Sequence, residues 1–406
     1  MTAGDSGSAP GPALDPARDT ASPARRRLHP AVGAARNAVK AALAEAGWPR
    51  RILVGCSGGP DSLALAAAVA HFARRGGVSG HPLEAGAVVV DHQLQEGSGE
   101  VARTTAGVLG ELGLAPVRVV AVDVQRRGEG PEAAARAARL AALEAEAETW
   151  GAGALLLGHT LDDQAEQVLL GLARGSGPRA LAGMRRVRGL YVRPFLTLRR
   201  ADTLDVCVAE GLEPWFDPTN EDPRFMRSRV RTATMPFLEA ELGPGVAEGL
   251  ARTAALLAAD ADYLDGEAQR IYAALAEVTP SAAEVTPSAA EVTPSGPEVT
   301  PSAAEVTPRG RDMTPHRGGG RAVVLPGPEL RALPQALRSR VIALAVTELG
   351  GQLTFERLSA VERLLEPRGS AGPVEVAGHV SAFRQPRDGT RKGAGHRGGL
   401  VLVSHR

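Results

Sequence analysis

At 406 residues and 44% hydrophobic, the chain is long enough for two or three domains, and with aromatics at only 3% its cores must be filled by Leu, Val and Ala. A formal net charge of zero excludes a global basic field, so any contact with a polyanion must come from local patches. Two isolated cysteines, Cys56 and Cys207, exclude a disulfide framework or a Cys-rich metal site, and no apolar run is long enough to span a membrane.

Arg25-Arg26-Arg27 has no apolar stretch after it, so it is not read as the start of a signal peptide, and a soluble, cytoplasmic protein is expected. Residues 1–30 are dominated by Ala, Pro, Gly, Ser and Asp and are expected to be a disordered tail. A helical pattern follows over Ala31–Trp48. Arg51–Cys56 then reads as a buried strand, Asp61–Arg75 as a helix, Ala85–Asp91 as a strand and Gly99–Leu112 as a helix. Pro116–Val122 reads as a strand, Pro131–Trp150 as a long helix opened by proline, Gly153–Gly158 as a strand and Asp162–Ala173 as a helix. Continuous apolar strands alternating with helices predict α/β architecture with a doubly wound parallel sheet, Rossmann-like, over residues 31–245.

Residues 246–277 read as a helical connector with an apolar stripe that includes Leu250, Leu257, Leu264 and Ile271. Glu-Val-Thr-Pro then recurs five times at a spacing of seven, starting at Glu277, Glu284, Glu291, Glu298 and Glu305. A proline in every repeat excludes a coiled coil, because each removes a helical hydrogen bond. Residues 278–320 are therefore expected to be a disordered linker. A small α+β unit is expected over 321–406, with helices at Leu333–Leu349 and Thr354–Leu365 and short strands within Pro373–Arg384 and Gly399–Val403. Its end is basic, with Arg384, Arg387, Arg391, Lys392, Arg397 and Arg406 against Asp388.

The sharpest chemical signal is Ser57-Gly58-Gly59-Pro60-Asp61-Ser62, between a strand and a helix. Gly58 and Gly59 permit the backbone angles and close approach that a phosphate cradle needs, and the helix start presents partial positive charge to an anion. Ser57 and Ser62 can donate hydroxyl hydrogen bonds. Asp61 can hold Mg²⁺ beside phosphates, or simply cap the helix. Asp91-His92 and His159 to Gln164 follow two further strands, where ligands sit in such sheets. Asp162 and Asp163 there suit helix capping, but capping does not account for His159. Arg174 suits a phosphate fork, and between Arg174 and Arg231 twelve arginines stand against seven acids, so this segment is a local basic patch. Arg227, Arg229 and Arg231 alternate and are not expected to share one helix face; backbone phosphates are their expected partners.

The loop resembles the signature of the ATP pyrophosphatase (PP-loop) superfamily, whose members split ATP between the α and β phosphates. Val90-Asp91-His92, Pro131 to Arg136, Gly158 to Gln164, Arg174-Gly175-Ser176-Gly177, Arg193-Pro194-Phe195, Trp215, Asp217 to Asn220 and Arg227 to Arg231 follow in order. The series is similar to that of the tRNA(Ile)-lysidine synthase family, densely over residues 50–240 and loosely beyond. Gln93 to Gln95 stand where that family usually has Gly-Leu-Arg, Thr160 where a second histidine is common, and Ser228 where asparagine is usual.

The resemblance implies an adenylating ligase that uses ATP and Mg²⁺. It would activate carbon 2 of the wobble cytidine of isoleucine tRNA with a CAU anticodon and join L-lysine to it, so that AUA is read in place of AUG. It implies catalytic roles for Asp61, His159, Asp162 and Asp163, with either Asp163 or His159 holding or deprotonating the amine. It implies ATP contacts from Ser57, Gly58, Gly59, Pro60, Asp61, Ser62, Asp91, His92 and Arg174. Arg136, Arg193, Arg227, Arg229 and Arg231 are the expected tRNA or phosphate contacts, and the C-terminal unit the expected substrate-binding domain. Oligomeric state is left open, a homodimer included. A tRNA thiolase would need paired cysteines, an amidating synthetase would need an ammonia-supplying partner, and a non-catalytic tRNA-binding module would have no reason to keep Asp61 and the Asp162-Asp163 pair.

Overall fold

The computed structural model describes residues 28–93, 97–122, 131–279, 320–366, 372–385 and 399–405. Residues 1–27 of the expected N-terminal tail, most of the repeat array, Gln95, and Arg387, Arg391, Lys392, Arg397 and Arg406 lie outside the described residues, while Pro30, expected in the tail, opens the first helix with His29 as its N-cap. The chain divides into two compact units, Met1–Ala254 and Ala255–Arg406.

The first unit opens with α1 (Pro30–Glu45), whose Val32, Ala35, Val39, Ala42 and Leu43 recur at helical spacing and are buried. β1 (Arg51–Cys56) leads into α2 (Pro60–Ala73), and a small hairpin of β2 (Gly77–Val78) and β3 (His81–Pro82) precedes β4 (Glu84–Asp91). Next come α3 (Ser98–Glu111), β5 (Val117–Ala121), α4 (Pro131–Trp150), β6 (Ala154–Leu157), α5 (Leu161–Ala173), α6 (Pro178–Leu181), β7 (Val187–Arg188) and β8 (Tyr191–Val192). The unit continues with α7 (Arg200–Glu210), a 3-10 turn at Pro218–Glu221, α8 (Met226–Arg229), a π turn at Val230–Thr234, α9 (Met235–Leu242) and the start of α10 (Val246–Leu275).

The sheet order is β5-β4-β1-β6-β8-β7. All neighbours are parallel except β7, which pairs antiparallel with β8 and so qualifies the expected all-parallel sheet. Two-residue strands carry no hydrophobic period, which is why β7 and β8 left no signal. Alternate residues of β1 enter opposite layers. Ile52, Val54 and Cys56 pack with α1, α2, α3 and α7, whereas Leu53 packs with Val88, Leu155 and the α4 residues Leu143 and Ala147. Both faces are covered, so each of these side chains is removed from water at roughly 1.5–3 kcal/mol apiece. The chain leaves β1 towards β4 on one side and later returns to β6 on the other. The crevice between the carboxyl ends of β1 and β6 is therefore the topological switch point, where such sheets bind ligands.

The second unit is a five-stranded antiparallel sheet in the order β11-β12-β13-β10-β9, made by β9 (Glu277–Thr279), β10 (Ala322–Pro326), β11 (Val374–Val376), β12 (Val380–Gln385) and β13 (Gly399–Ser404). Among the described residues, the C-terminal part of α10 accompanies it, with Ala268 in its core, together with α11 (Gly327–Ala332), α12 (Gln335–Glu348) and α13 (Phe355–Arg363). Val323, Leu325, Leu400 and Leu402 pack against Val341, Ile342 and Val361, while Ala322, Val401 and Val403 form a separate cluster.

One boundary is corrected here. The linker was expected from residue 278, yet Val278 pairs with Val323 and Thr279 with Ala322, so the first Glu-Val-Thr of the array is an edge strand. The repeat pattern hid it, because identical copies of Glu-Val-Thr-Pro gave no sign that one of them pairs with a strand. The array thus connects two adjacent antiparallel strands, as the loop of a hairpin does. Replacing residues 280–319 with a short Asn-Gly-type turn should leave cooperative urea unfolding intact. Stability should be unchanged or raised by up to about 2 kcal/mol, from three halvings of loop length at about 0.6 kcal/mol each. A deletion that also takes Glu277–Thr279 should lower the urea midpoint. A midpoint that falls in the shorter deletion would mean that the array itself contributes to the fold.

Candidate active site

The loop at the end of β1 is closed from inside by Ser62, which is 8% exposed. Its Oγ accepts from the Ser57 amide at 3.2 Å and donates to the Gly59 carbonyl at 2.9 Å, with Ser57 Oγ 3.3 Å away. Gly58 has φ +81°, and a Cβ there would sit 2.6 Å from Thr105 Oγ1, so both backbone angle and space demand glycine. The Trp215 amide donates to the Gly58 carbonyl at 2.9 Å. At the N-cap of α2, Gly59 offers no side-chain cap and Pro60 follows, so the first-turn amides are left for an anion. Beside the loop a cavity of about 490 Å³ is lined by Gly58, Leu63, Val101 and Trp215 together with Glu100 and Glu213.

Across the crevice, a Cβ on Gly158 would meet the Asp61 carbonyl oxygen at 2.8 Å, so the end of β6 and the start of α2 touch. That contact brings two expected groups together. Asp61 accepts from Thr203 Oγ1 at 2.5 Å and lies 3.6 Å from Arg200 Nε. Burial pushes the Asp61 carboxyl above its usual range, against the pull of Thr203 and Arg200. A lone carboxylate at a phosphate loop suits Mg²⁺, which takes one or two carboxylates and completes its shell with phosphate and water. No group of three or more His, Cys, Asp or Glu among the described residues forms an all-protein cage.

Asp163 and Thr160 form a capping box at the start of α5: Asp163 Oδ2 accepts from the Thr160 amide at 2.8 Å and its hydroxyl at 3.1 Å. Asp163 Oδ1 lies 3.2 Å from both Arg200 and Arg231. One turn on, Glu166 is 2% exposed and receives Arg231 Nε at 2.8 Å and Arg227 Nε at 3.1 Å, with Arg200 at 3.5 Å. Burial raises the Asp163 pKa, but Arg200, the Thr160 amide and Arg227 outweigh it and hold the carboxyl below its usual range. Three carboxylates thus face three guanidiniums in a partly buried cluster with Glu166 innermost. Stripping one partner from such a pair costs about 3–5 kcal/mol. An exposed pair such as Arg50–Glu84 contributes far less, because water screens both charges.

Glu166, Arg200 and Thr203 did not stand out in the sequence. Glu166 had a signal, three residues after Asp163 and so on the same helix face. Arg200 and Thr203 had none, since only the packing of α7 brings them to Asp61. Arg139 was also missed; it lies one turn from the exposed Arg136 on α4, and its Nε is buried without a hydrogen-bond partner among the described residues. His159 Nδ1 is in the same state. Burial lowers the His159 pKa to about 3, with Arg193, Arg139 and Arg136 adding to the effect and Asp163 opposing it, so the imidazole is neutral at working pH. His92 is pushed down too, first by burial and then by Arg139.

The remaining expected residues separate. Asp162 accepts from the Arg200 amide at 2.7 Å and pairs with Arg199 at 3.1 Å, and so anchors the start of α7. Asp91 Oδ1 accepts from the Gln93 amide at 2.9 Å. Arg193 is only 9% exposed, donates to the Arg185 carbonyl and lies over the Tyr191 ring at 5.6 Å. Arg174 is exposed at the C-cap of α5, about 16 Å along the helix from Asp163 at 1.5 Å per residue, so it does not join the loop. The expectation that Arg227, Arg229 and Arg231 share no face needs division. Arg227 and Arg231 both reach Glu166, whereas Arg229 turns away and donates to the carbonyls of Pro223 and Arg224. The cysteines pack as expected: Cys56 donates to Ser62 Oγ and Cys207 to the Pro60 carbonyl, and burial raises both thiol pKa values, that of Cys207 to about 11. Neither thiol is poised as a nucleophile or metal ligand.

A PP-loop domain family matches residues 34–238. The tRNA(Ile)-lysidine synthase of Thermobifida fusca (strain YX) is 43% identical over 377 residues, covering 92% of this chain and 98% of that protein. The enzyme of that name from Leifsonia xyli subsp. xyli (strain CTCB07) is 45% identical over 335 residues, 82% of this chain and 87% of its own. That of Salinispora tropica is 54% identical over 245 residues, 59% and 72% of the two chains. With such identity running through both units, and a PP-loop facing a buried acid–arginine cluster, the chain belongs to the tRNA(Ile)-lysidine synthase family.

Proposed function

We propose that this protein is an ATP-dependent ligase that adenylates carbon 2 of the wobble cytidine in isoleucine tRNA with a CAU anticodon and joins L-lysine to it, working in the cytoplasm. The observation that carries the reading is the uncapped helix start of the PP-loop, set against Asp61, Asp163 and Glu166 in a chain of this family. The loop amides and Ser57 take the phosphates, while Ser62 holds the loop in shape from inside. Mg²⁺, with Asp61 among its ligands, would neutralise charge on the departing pyrophosphate. The cytosine O2 attacks the α-phosphate, pyrophosphate leaves, and the lysine ε-amine then attacks carbon 2 as O2 departs with AMP.

The amine has a reference pKa of about 10.4 and must lose a proton first. Asp163 and Glu166 hold the ammonium, while Arg200, Arg227 and Arg231 nearby favour its neutral form by like-charge repulsion. His159, with a pKa of about 3, is too weak a base for that proton and serves instead as a neutral hydrogen-bonding group. The cavity beside Trp215 supplies apolar walls and two acids that suit a base with an exocyclic amine.

Purified protein with ATP, Mg²⁺, lysine and transcripts differing only at the wobble base tests the reading. A lysine-dependent mass gain on the CAU transcript, and little on UAU, is expected. Pyrophosphate release at an equal rate without RNA would sink it.

Asp61→Asn should keep the fold and the acceptor for Thr203 while lowering turnover by at least about a hundredfold, the scale of losing a charge that acts in the transition state. Wild-type turnover in that variant would make Asp61 a helix-start residue only.

His159 gives a pH test of its burial. Its folded pKa lies below its unfolded value of 6.5, so the unfolded chain takes up the proton first and stability falls as pH drops from about 6.5 towards 3. His159→Gln should remove this component and flatten the loss by at most about 1.4 kcal/mol per pH unit, read from urea midpoints between pH 7 and 5. Equal slopes in both proteins would mean that the imidazole titrates normally in the fold.

A further inference from the structure

Arg200 belongs to no motif, yet it touches every acid of the cluster. Nε lies 3.6 Å from Asp61, and Nη2 lies 3.2 Å from Asp163 and 3.5 Å from Glu166. Its own amide donates to Asp162, and Arg199 pairs with the same carboxylate, so the first turn of α7 is fixed to the start of α5. Its side chain retains 25% exposure, much as Arg227 and Arg231 do, against 2% for Glu166, but among the ion pairs of this cluster Arg200 is the arginine that also reaches Asp61 at the phosphate loop.

The cluster is charge-balanced as it stands, three acids against three bases. Lysine alone would add an uncompensated positive charge to a poorly solvated site. ATP alone would add negative charge and draw guanidiniums from the acids, leaving those acids bare. The two together keep the balance, because the phosphates take guanidinium and the freed acids take ammonium. Each ligand therefore removes part of the cost of binding the other.

We propose that Arg200 is a positioning residue that acts as a resident counter-ion. It holds Asp61, Asp163 and Glu166 in the ligand-free enzyme and moves to the phosphates when ATP binds, so that ATP and lysine bind with positive coupling. This rests on the reading that Asp163 and Glu166 hold the lysine ammonium.

The test is equilibrium dialysis of labelled lysine against the full-length protein, with and without Mg²⁺ and the non-cleavable analogue α,β-methylene-ATP. Lysine should bind at least tenfold more tightly with the analogue, and the analogue should gain the same factor from lysine, as linkage requires. In Arg200→Gln, lysine should bind without nucleotide and the factor should fall towards one. Arg200→Lys keeps the charge and should restore coupling; if it does not, the counter-ion account is overturned. Lysine binding that is equally tight with and without nucleotide in the wild type overturns the proposal and leaves the amine site standing. No lysine binding in any state overturns the amine site, and the proposal with it. Should Arg200→Gln fail to fold, Arg200→Lys decides: coupling kept supports the counter-ion account, and coupling lost overturns it.

Discussion

A carboxylate removed from water must be met by a cation or by several donors, and Glu166, almost wholly buried, is the most demanding case among the described residues. Much of the first unit can be understood as the means of meeting it. α8 and the π turn after it deliver Arg227 and Arg231, and α7 delivers Arg200. Asp162 in turn anchors α7 by its first amide. Elements far apart in sequence are thereby tied to the first turn of α5, and α5 itself is set by the contact between Gly158 and the Asp61 carbonyl. The phosphate loop and the acids thus meet across the crevice at this set of paired charges.

The electrostatic character of the site follows from that arrangement. Asp61 and Asp163 are both buried acids, yet their pKa values move in opposite directions. Asp61 has one hydroxyl donor and a single guanidinium at 3.6 Å, so burial dominates; Asp163 has a backbone amide and closer arginines, so the donors dominate. Two similar side chains thus acquire different chemistry from their partners alone. His159 is neutral for a third reason, being desolvated among arginines with a single acid opposing them.

The sheet and its loop were legible in the sequence because they obey local rules. Apolar runs mark β1, β4 and β6, glycines mark the phosphate loop, and a proline opens α4. The sequence pointed to Asp61 and Asp163 for the same reason, as they stand at strand ends beside turn residues. Arg200, Thr203 and Arg139 were not legible, since their importance depends on partners from tens to more than a hundred residues away. For Arg174 the motif gave no account of the length of α5, which sets it far along the helix from Asp163. In the second unit the antiparallel sheet was read only in part: β9 was concealed inside a repeat, and β10 was too short for its alternation to stand out.

The seam between Thr279 and Ala322 has a bearing on how this gene can vary. Because the two ends of the array are held as strand neighbours, gaining or losing one heptad alters loop closure by only about 0.1–0.2 kcal/mol. Thermal stability is then nearly blind to copy number, and slippage during replication can lengthen or shorten the array with little purging by misfolding. Closely related strains would be expected to differ in repeat count at this seam while keeping Glu277, Val278 and Thr279, the copy that the sheet holds in register.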